Sequence, residues 1–136
     1  MADALDRSLQ SAMSQIPECV AIGCVDIAAG IVLSVMTADP QPQEELDLVS
    51  AATVDLFQGS NTMAIENMFK RTRGINVDTQ HYFQEIVVCS ENLLYMFLRC
   101  KKNINHVLVF VCLKNANLGM ITSKSRAALS SVDAAI

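Results

Sequence analysis

The feature that most constrains this chain is the run Val107-Leu108-Val109-Phe110-Val111-Cys112-Leu113, seven apolar residues in succession. A short run rich in β-branched and aromatic residues, without polar alternation, reads as a strand covered on both faces. Such a strand lies inside a sheet, not at its edge. It is much too short to cross a membrane as a helix, which takes about 20 residues. The polar cluster Lys114-Asn115-Ala116-Asn117 ends it as a turn. Helical spacing then resumes from Leu118 to Leu129, with Asn117 placed to accept an orphan backbone N–H at the helix start. A buried strand, a tight corner and a closing helix are thereby set, and the upstream chain must supply the rest of the sheet and its cover.

Taken in order, residues 3–16 carry Leu5, Leu9, Ala12, Met13 and Ile16 at helical spacing, with Asp3 as a cap and Pro17 as a stop. Cys19 to Val25 is a second continuous apolar run and a second interior strand. Asp26-Ile27-Ala28-Ala29-Gly30 reads as a turn, since Asp can bond nearby backbone and Gly tolerates positive φ. Ile31 to Met36 completes a hairpin. After Asp39-Pro40-Gln41-Pro42, residues 43–73 are helical. Glu44, Glu45 and Asp47 in the first turn suit the helix dipole and are not read as catalytic carboxylates. Leu46, Val49, Ala52, Val54, Leu56 and Phe57 form a wide apolar face. Gly59-Ser60-Asn61 interrupts it, and Met63, Ala64, Met68 and Phe69 resume it, so one kinked helix and two helices are both compatible. Gly74 to Thr79 reads as a loop, Gln80 to Cys89 as a strand, Ser90-Glu91-Asn92 as a turn and Leu93 to Cys100 as the next strand. Lys101 to Asn105 turns into the central strand. The order is α-β-β-α-β-β-β-α, an α+β class built on an antiparallel meander. The 136 residues fit one domain, 1–136.

Composition excludes several functions. Hydrophobic residues make up 51% of the chain and charged ones 18%, which supports a core and argues against disorder. A net charge of -4 argues against nucleic acid or an anionic membrane as the main partner, and no membrane insertion is expected. Lys70, Arg71 and Arg73 suit a helix C-terminus, and Lys101 and Lys102 a solvated turn. The glycines are isolated, with neither phosphate-loop nor dinucleotide spacing, so no bound nucleotide or other cofactor is expected. His81 and His106 stand apart from any Cys or Ser signature, and no catalytic or metal residues are expected. Five cysteines, an odd number, without a secretory leader point to free thiols and a cytoplasmic location. Cys19 and Cys24, five apart on one strand, are expected on opposite faces. Cys89 and Cys100 are expected far apart on two hairpin arms. The thiols are therefore read as packing residues.

Two interior strands leave 31–36 and 80–89 as the outer ones. The latter carries Phe83, Ile86, Val87 and Val88 without the Lys or Pro that usually protects an edge. A homodimer through that edge is expected, with Leu56, Phe57, Met63 and Met68 of the central helical stretch adding apolar surface, since two-fold pairing closes the assembly. The alternative is that residues 74–79 fold over the edge. Asp26, Gly30, Asn117 and Gly119 are expected as structural turn positions, Gly119 through close packing or positive φ.

Three pieces carry a family resemblance. They are the hairpin Val20-Ala21-Ile22-Gly23-Cys24-Val25-Asp26 through Gly30-Ile31-Val32-Leu33, the turn Ser90-Glu91-Asn92-Leu93-Leu94-Tyr95, and Val107 to Val111 followed by Ala116-Asn117-Leu118-Gly119-Met120. In this order and spacing the chain resembles, over about its whole length, the roadblock / dynein light chain superfamily. It departs from that pattern in the interrupted central helix and the long segment from Asn61 to Thr79. The resemblance implies a five-stranded antiparallel sheet, a long central helix on one face and N- and C-terminal helices on the other. It also implies a non-catalytic protein that pairs as a homodimer and binds a small Ras-like GTPase or a motor complex. Some such proteins modulate nucleotide hydrolysis by positioning the GTPase's own residues. A dimeric adaptor or regulator of a small Ras-like GTPase is thus the leading expectation. A structural adaptor without nucleotide linkage and a small-ligand sensor stand beside it, the latter because a sheet flanked by helices can hold a pocket.

Overall fold

The structure is a computed structural model that describes residues 4–39, 43–74 and 83–135. Its elements are α1 (Ala4–Gln15), β1 (Cys19–Asp26), β2 (Ile31–Thr37), α2 (Gln43–Gln58), α3 (Ser60–Thr72), β3 (Glu85–Cys89), β4 (Leu93–Arg99), β5 (His106–Leu113) and α4 (Leu118–Ala135). The two continuous apolar runs are β1 and β5, and they pair with each other at the centre of one antiparallel sheet of order β2-β1-β5-β4-β3. β2 and β3 are its edges. Asp3, the 75–79 loop, Gln80, His81 and Tyr82 lie outside the described residues. Within them the third strand starts only at Glu85.

Local chemistry sets the corners. Between β1 and β2, Asp26 Oδ1 accepts the N–H groups of Ala28 and Ala29 at 3.0 and 3.1 Å, and Gly30 takes φ +71°. At the start of α4, Asn117 Oδ1 accepts the Met120 N–H at 3.0 Å, the bond of an N-cap. Gly119 does not have the positive φ considered for it, and it is exposed inside the first turn of α4. The nearest atom to a Cβ there would be the capping Asn117 Oδ1 at 3.2 Å.

The central helical stretch is two helices. Gly59 N–H still donates to Asp55 O at 2.9 Å, closing α2, but its ψ of 151° turns the chain out of the helix before α3 begins. A Cβ at Gly59 would sit 2.5 Å from that same Asp55 carbonyl. The corner therefore needs glycine for the close approach of backbone.

The sheet's faces differ. On one, Leu9, Ala12 and Ile16 of the first helical segment and Ile121, Ala128, Leu129 and Val132 of α4 bury Ile22, Cys24, Leu94, Met96, Leu98, Leu108, Phe110 and Cys112. On the other, Val25, Ile27, Phe97, Val107 and Val109 pack on Phe57 of α2, with Val49, Val54 and Leu56 partly buried beside it. Ser50 Oγ donates to Gly30 O at 3.1 Å and ties α2 to the β1–β2 turn.

Strand alternation fails at one end of β1. The β1–β5 register shifts between Cys19 and Ala21. This bulge turns Cys19 to the same face as Cys24, where it packs against the α1/α4 core. The expectation that the two cysteines face opposite sides is corrected by that extra residue.

Candidate protein-interaction site

The site is assembled from β3 and α3. Cross-strand partners share a face, so Ile86 and Val88, opposite Phe97 and Tyr95, lie on the α2 face. Glu85, Val87 and Cys89, opposite Leu98, Met96 and Leu94, lie on the α4 face. Arg99 N–H donates to Gln84 O at 2.8 Å and Ser90 N–H to Leu93 O at 2.8 Å. Antiparallel alternation between these two bonds aims the N–H groups of Ile86 and Val88 at β4. Those of Glu85, Val87 and Cys89 point outward from the sheet. The edge carries apolar side chains as well, with Val87 44% and Val88 38% exposed. Its one charged anchor is Glu85, whose carboxylate accepts both Nε and Nη2 of Arg126 of α4 at 2.7 and 2.6 Å. The hydrogen bond from Arg126 holds the Glu85 carboxyl below the usual range, with burial opposing it.

α3 is turned inside out. Its buried residues are Glu66 and Lys70, one helical turn apart. Ile65, Met68 and Phe69 face solvent, Met68 at 60% exposure and Ile65 at 42%. The negative charge of Glu66 acts on Arg99, at the end of β4, one of the largest fully buried side chains. Its Nε donates to Phe83 O at 3.1 Å and its Nη1 to Ile104 O at 2.7 Å, while the guanidinium lies over the Phe57 ring, 4.9 Å from its centroid. Burial lowers the Arg99 pKa, and the negative charge of Glu66 raises it in part. A buried cation needs a nearby carboxylate. Glu66 is the carboxylate whose charge reaches it, buried on α3 with Lys70, while Ile65, Met68 and Phe69 lie outside.

Of the residues expected at a dimer surface, Val87, Val88 and Met68 are exposed, and Met63, Leu56, Phe83 and Ile86 are half-buried. Phe57 is a correction. It is completely buried, edge-to-face with Phe97 at 6.5 Å and under Arg99, and offers no surface. Ile65 and Leu48, both exposed, were not picked out from the sequence. The spacing of Ile65 with Met68 and Phe69, set against Glu66 and Lys70, was the available signal for α3.

Beside α2 the same face holds a cleft of about 400 Å³, lined by residues that include Val32, Val35, Leu46, Val49, Tyr95 and Val111. His106 is buried at the start of β5, with Nε2 3.3 Å from Asn103 Nδ2 and 3.9 Å from Asp26 Oδ2. Among the described residues, no group of three or more His, Cys, Asp or Glu could hold a metal ion, and no helix is long and apolar enough to cross a membrane.

No family model and no curated protein matches the sequence. Solved structures match the fold. MglB in a tetrameric arrangement is 17% identical with a TM-score of 0.73, over 96% of this chain and 85% of that one. The gliding protein MglB from Thermus thermophilus is 19% identical with a TM-score of 0.69, over 96% and 87%. A Roadblock/LC7 domain from Streptomyces avermitilis is 16% identical with a TM-score of 0.64, over 93% and 92%. The sheet order, the helices on its two faces and these likenesses together give the conclusion that the chain has a roadblock-like fold.

Proposed function

We propose that this chain, residues 1–136 acting as one domain, is a non-catalytic homodimeric adaptor that binds and regulates a small Ras-like GTPase in the cytoplasm. The observation that carries the adaptor reading is the inverted α3, with Ile65, Met68 and Phe69 outside and Glu66 and Lys70 inside. Contiguous apolar surface of this kind is costly in water and marks a place where another protein sits. The outward N–H groups of β3 offer a second copy a strand to extend, and two-fold pairing closes the assembly without leaving a free edge. Likeness to a protein seen in a tetrameric arrangement supports self-association. The GTPase as partner rests on the family resemblance of the sequence motifs. In that reading the adaptor supplies surface, and the chemistry remains with the GTPase.

Light scattering after gel filtration at micromolar concentration tests the dimer: a dimer mass is expected, and a monomer mass overturns it. Met68→Lys should leave folding stability within about 0.5 kcal/mol and weaken self-association at least about tenfold. A panel of small Ras-like GTPases, each loaded with GDP or a non-hydrolysable GTP analogue, tests the second half. Binding that depends on the nucleotide is expected. Binding indifferent to it would favour a structural adaptor, and no binding would remove the GTPase from the proposal. The cleft beside α2 is the specific observation behind a small-ligand reading. A co-purified small molecule in native mass spectra would support that reading.

A further inference from the structure

We propose that Cys19 and Cys112 are a reversible oxidation site, closing a disulfide across β1 and β5 when the protein meets a peroxide. Cys19 and Cys112 are register partners at the shifted end of the β1–β5 pair. Leu113 N–H donates to Glu18 O at 3.0 Å, one residue outside the pair on each strand. That bond makes Cys19 and Cys112 a non-hydrogen-bonded antiparallel pair, in which the side chains are closest and Cα atoms are about 4.5 Å apart. This separation lies at the near end of the span a disulfide bridges. The bulge brings both side chains to the α1/α4 core.

The two thiols already interact. The Cys19 thiol donates to Ala21 O at 3.3 Å, and its hydrogen bond with the Cys112 thiol lowers the Cys19 pKa against the effect of burial. The same hydrogen bond, with burial, raises that of Cys112. The half-exposed member is thus the better thiolate and the buried one the resolving thiol. Burial pushes the Cys24 thiol up to about 12 and raises that of Cys100, so neither competes. The residue before Cys19, Glu18, holds φ +54°, a left-handed conformation uncommon for a side-chain-bearing residue.

The chemistry balances in two steps. The Cys19 thiolate attacks one peroxide oxygen, breaking the O–O bond; sulfur is oxidised to a sulfenic acid and the peroxide is reduced, leaving as hydroxide that takes up a proton to become water. The Cys112 thiol then gives up its proton and attacks Cys19 Sγ. The S–S bond forms, the S–O bond breaks, and hydroxide leaves with that proton as water.

Cys89→Ser removes the exposed thiol on the β3 edge and supplies the background for the test. Hydrogen peroxide should then remove two titratable thiols, restored by dithiothreitol, with peptide mapping joining Cys19 to Cys112. The mass by light scattering should not change, because the pair lies away from the α3 surface. Adding Cys112→Ser should stop the reaction at a dimedone-reactive sulfenic acid on Cys19. Full retention of both thiols under peroxide, or a map that joins Cys24 to Cys100 instead, overturns the proposal. Should the double variant fail to fold, the map of the Cys89→Ser protein decides alone.

Discussion

The two faces of the sheet are covered by helices to very different effect. On the α1/α4 face, helix and strand residues interleave into a continuous buried layer from Leu9 through Phe110 to Val132. On the other face, Phe57 is the helix residue buried in the apolar cluster, and α3 turns Glu66 and Lys70 inward. A helix lying over a sheet is therefore not the same as a helix burying its apolar stripe. The first face is complete within one chain. The second keeps Ile65, Met68 and Phe69 in water, and that is the surface a partner can use. The two edges repeat the contrast. The β1–β2 register shifts so that Leu33 is skipped, a bulge that blunts β2, and Ser34 is held by Asp6 of α1. β3 is short, apolar and unbulged in its pairing with β4.

The sharpest way to break the first contrast is in β5, where neighbouring residues serve opposite faces. Phe110→Ala, on the closed face, should cost about 3–5 kcal/mol in denaturant unfolding. Val109→Ala, on the other, should cost about 1–2 kcal/mol. A loss at Phe110 no larger than that at Val109, although three times as many carbons are removed, would mean that the closed face is the weaker one.

The edge is tested by moving one proline along β3, at a protein concentration low enough to dissociate any dimer. Val88→Pro removes an N–H that bonds β4 and should destabilise the chain by about 2–3 kcal/mol. Val87→Pro removes an outward N–H and should cost less than about 1 kcal/mol, while at higher concentration it abolishes the dimer mass. The reverse ranking would place the pairing one residue out of register.

At the α2–α3 corner, Gly59→Ala sets a Cβ against Asp55 O and should lower stability by about 1–3 kcal/mol in thermal melts. A gain would mean that the corner relaxes into one continuous helix.

The smallest effect concerns the Arg126–Glu85 pair, which ties the edge to the closed face. Glu85 is depressed in the folded state by its hydrogen bond from Arg126. Its contribution is therefore present above the ordinary carboxylate value, about 4.3, and is lost as pH falls through the lower folded value. Arg126 is exposed, so solvent screens the pair. Arg126→Ala should shift the melting temperature at pH 7 by no more than about 2 °C. The shift should vanish in strong acid.

Much of the architecture was legible from local pattern. Val107 to Leu113 and Cys19 to Val25 announced interior strands, because a residue run without polar alternation has no face to give to water. The Asp26–Gly30 turn and the Asn117 cap are local too, since each side chain bonds backbone two or three residues away. The lack of protecting residues on β3 could be read directly from Ile86-Val87-Val88.

Only the tertiary structure decided which way α3 faces. Met63, Ala64, Met68 and Phe69 share a helical spacing that does not say which way they face, and Phe57 looks like apolar surface of the same kind. Phe57 lies instead under Arg99 and against Phe97, and the burial of Arg99 cannot be seen from its neighbours in sequence. β4 carries that guanidinium inside, where it lies over the Phe57 ring and feels the negative charge of the buried Glu66. Periodicity reports what a helix can bury; the groups it meets across the fold decide what it does bury.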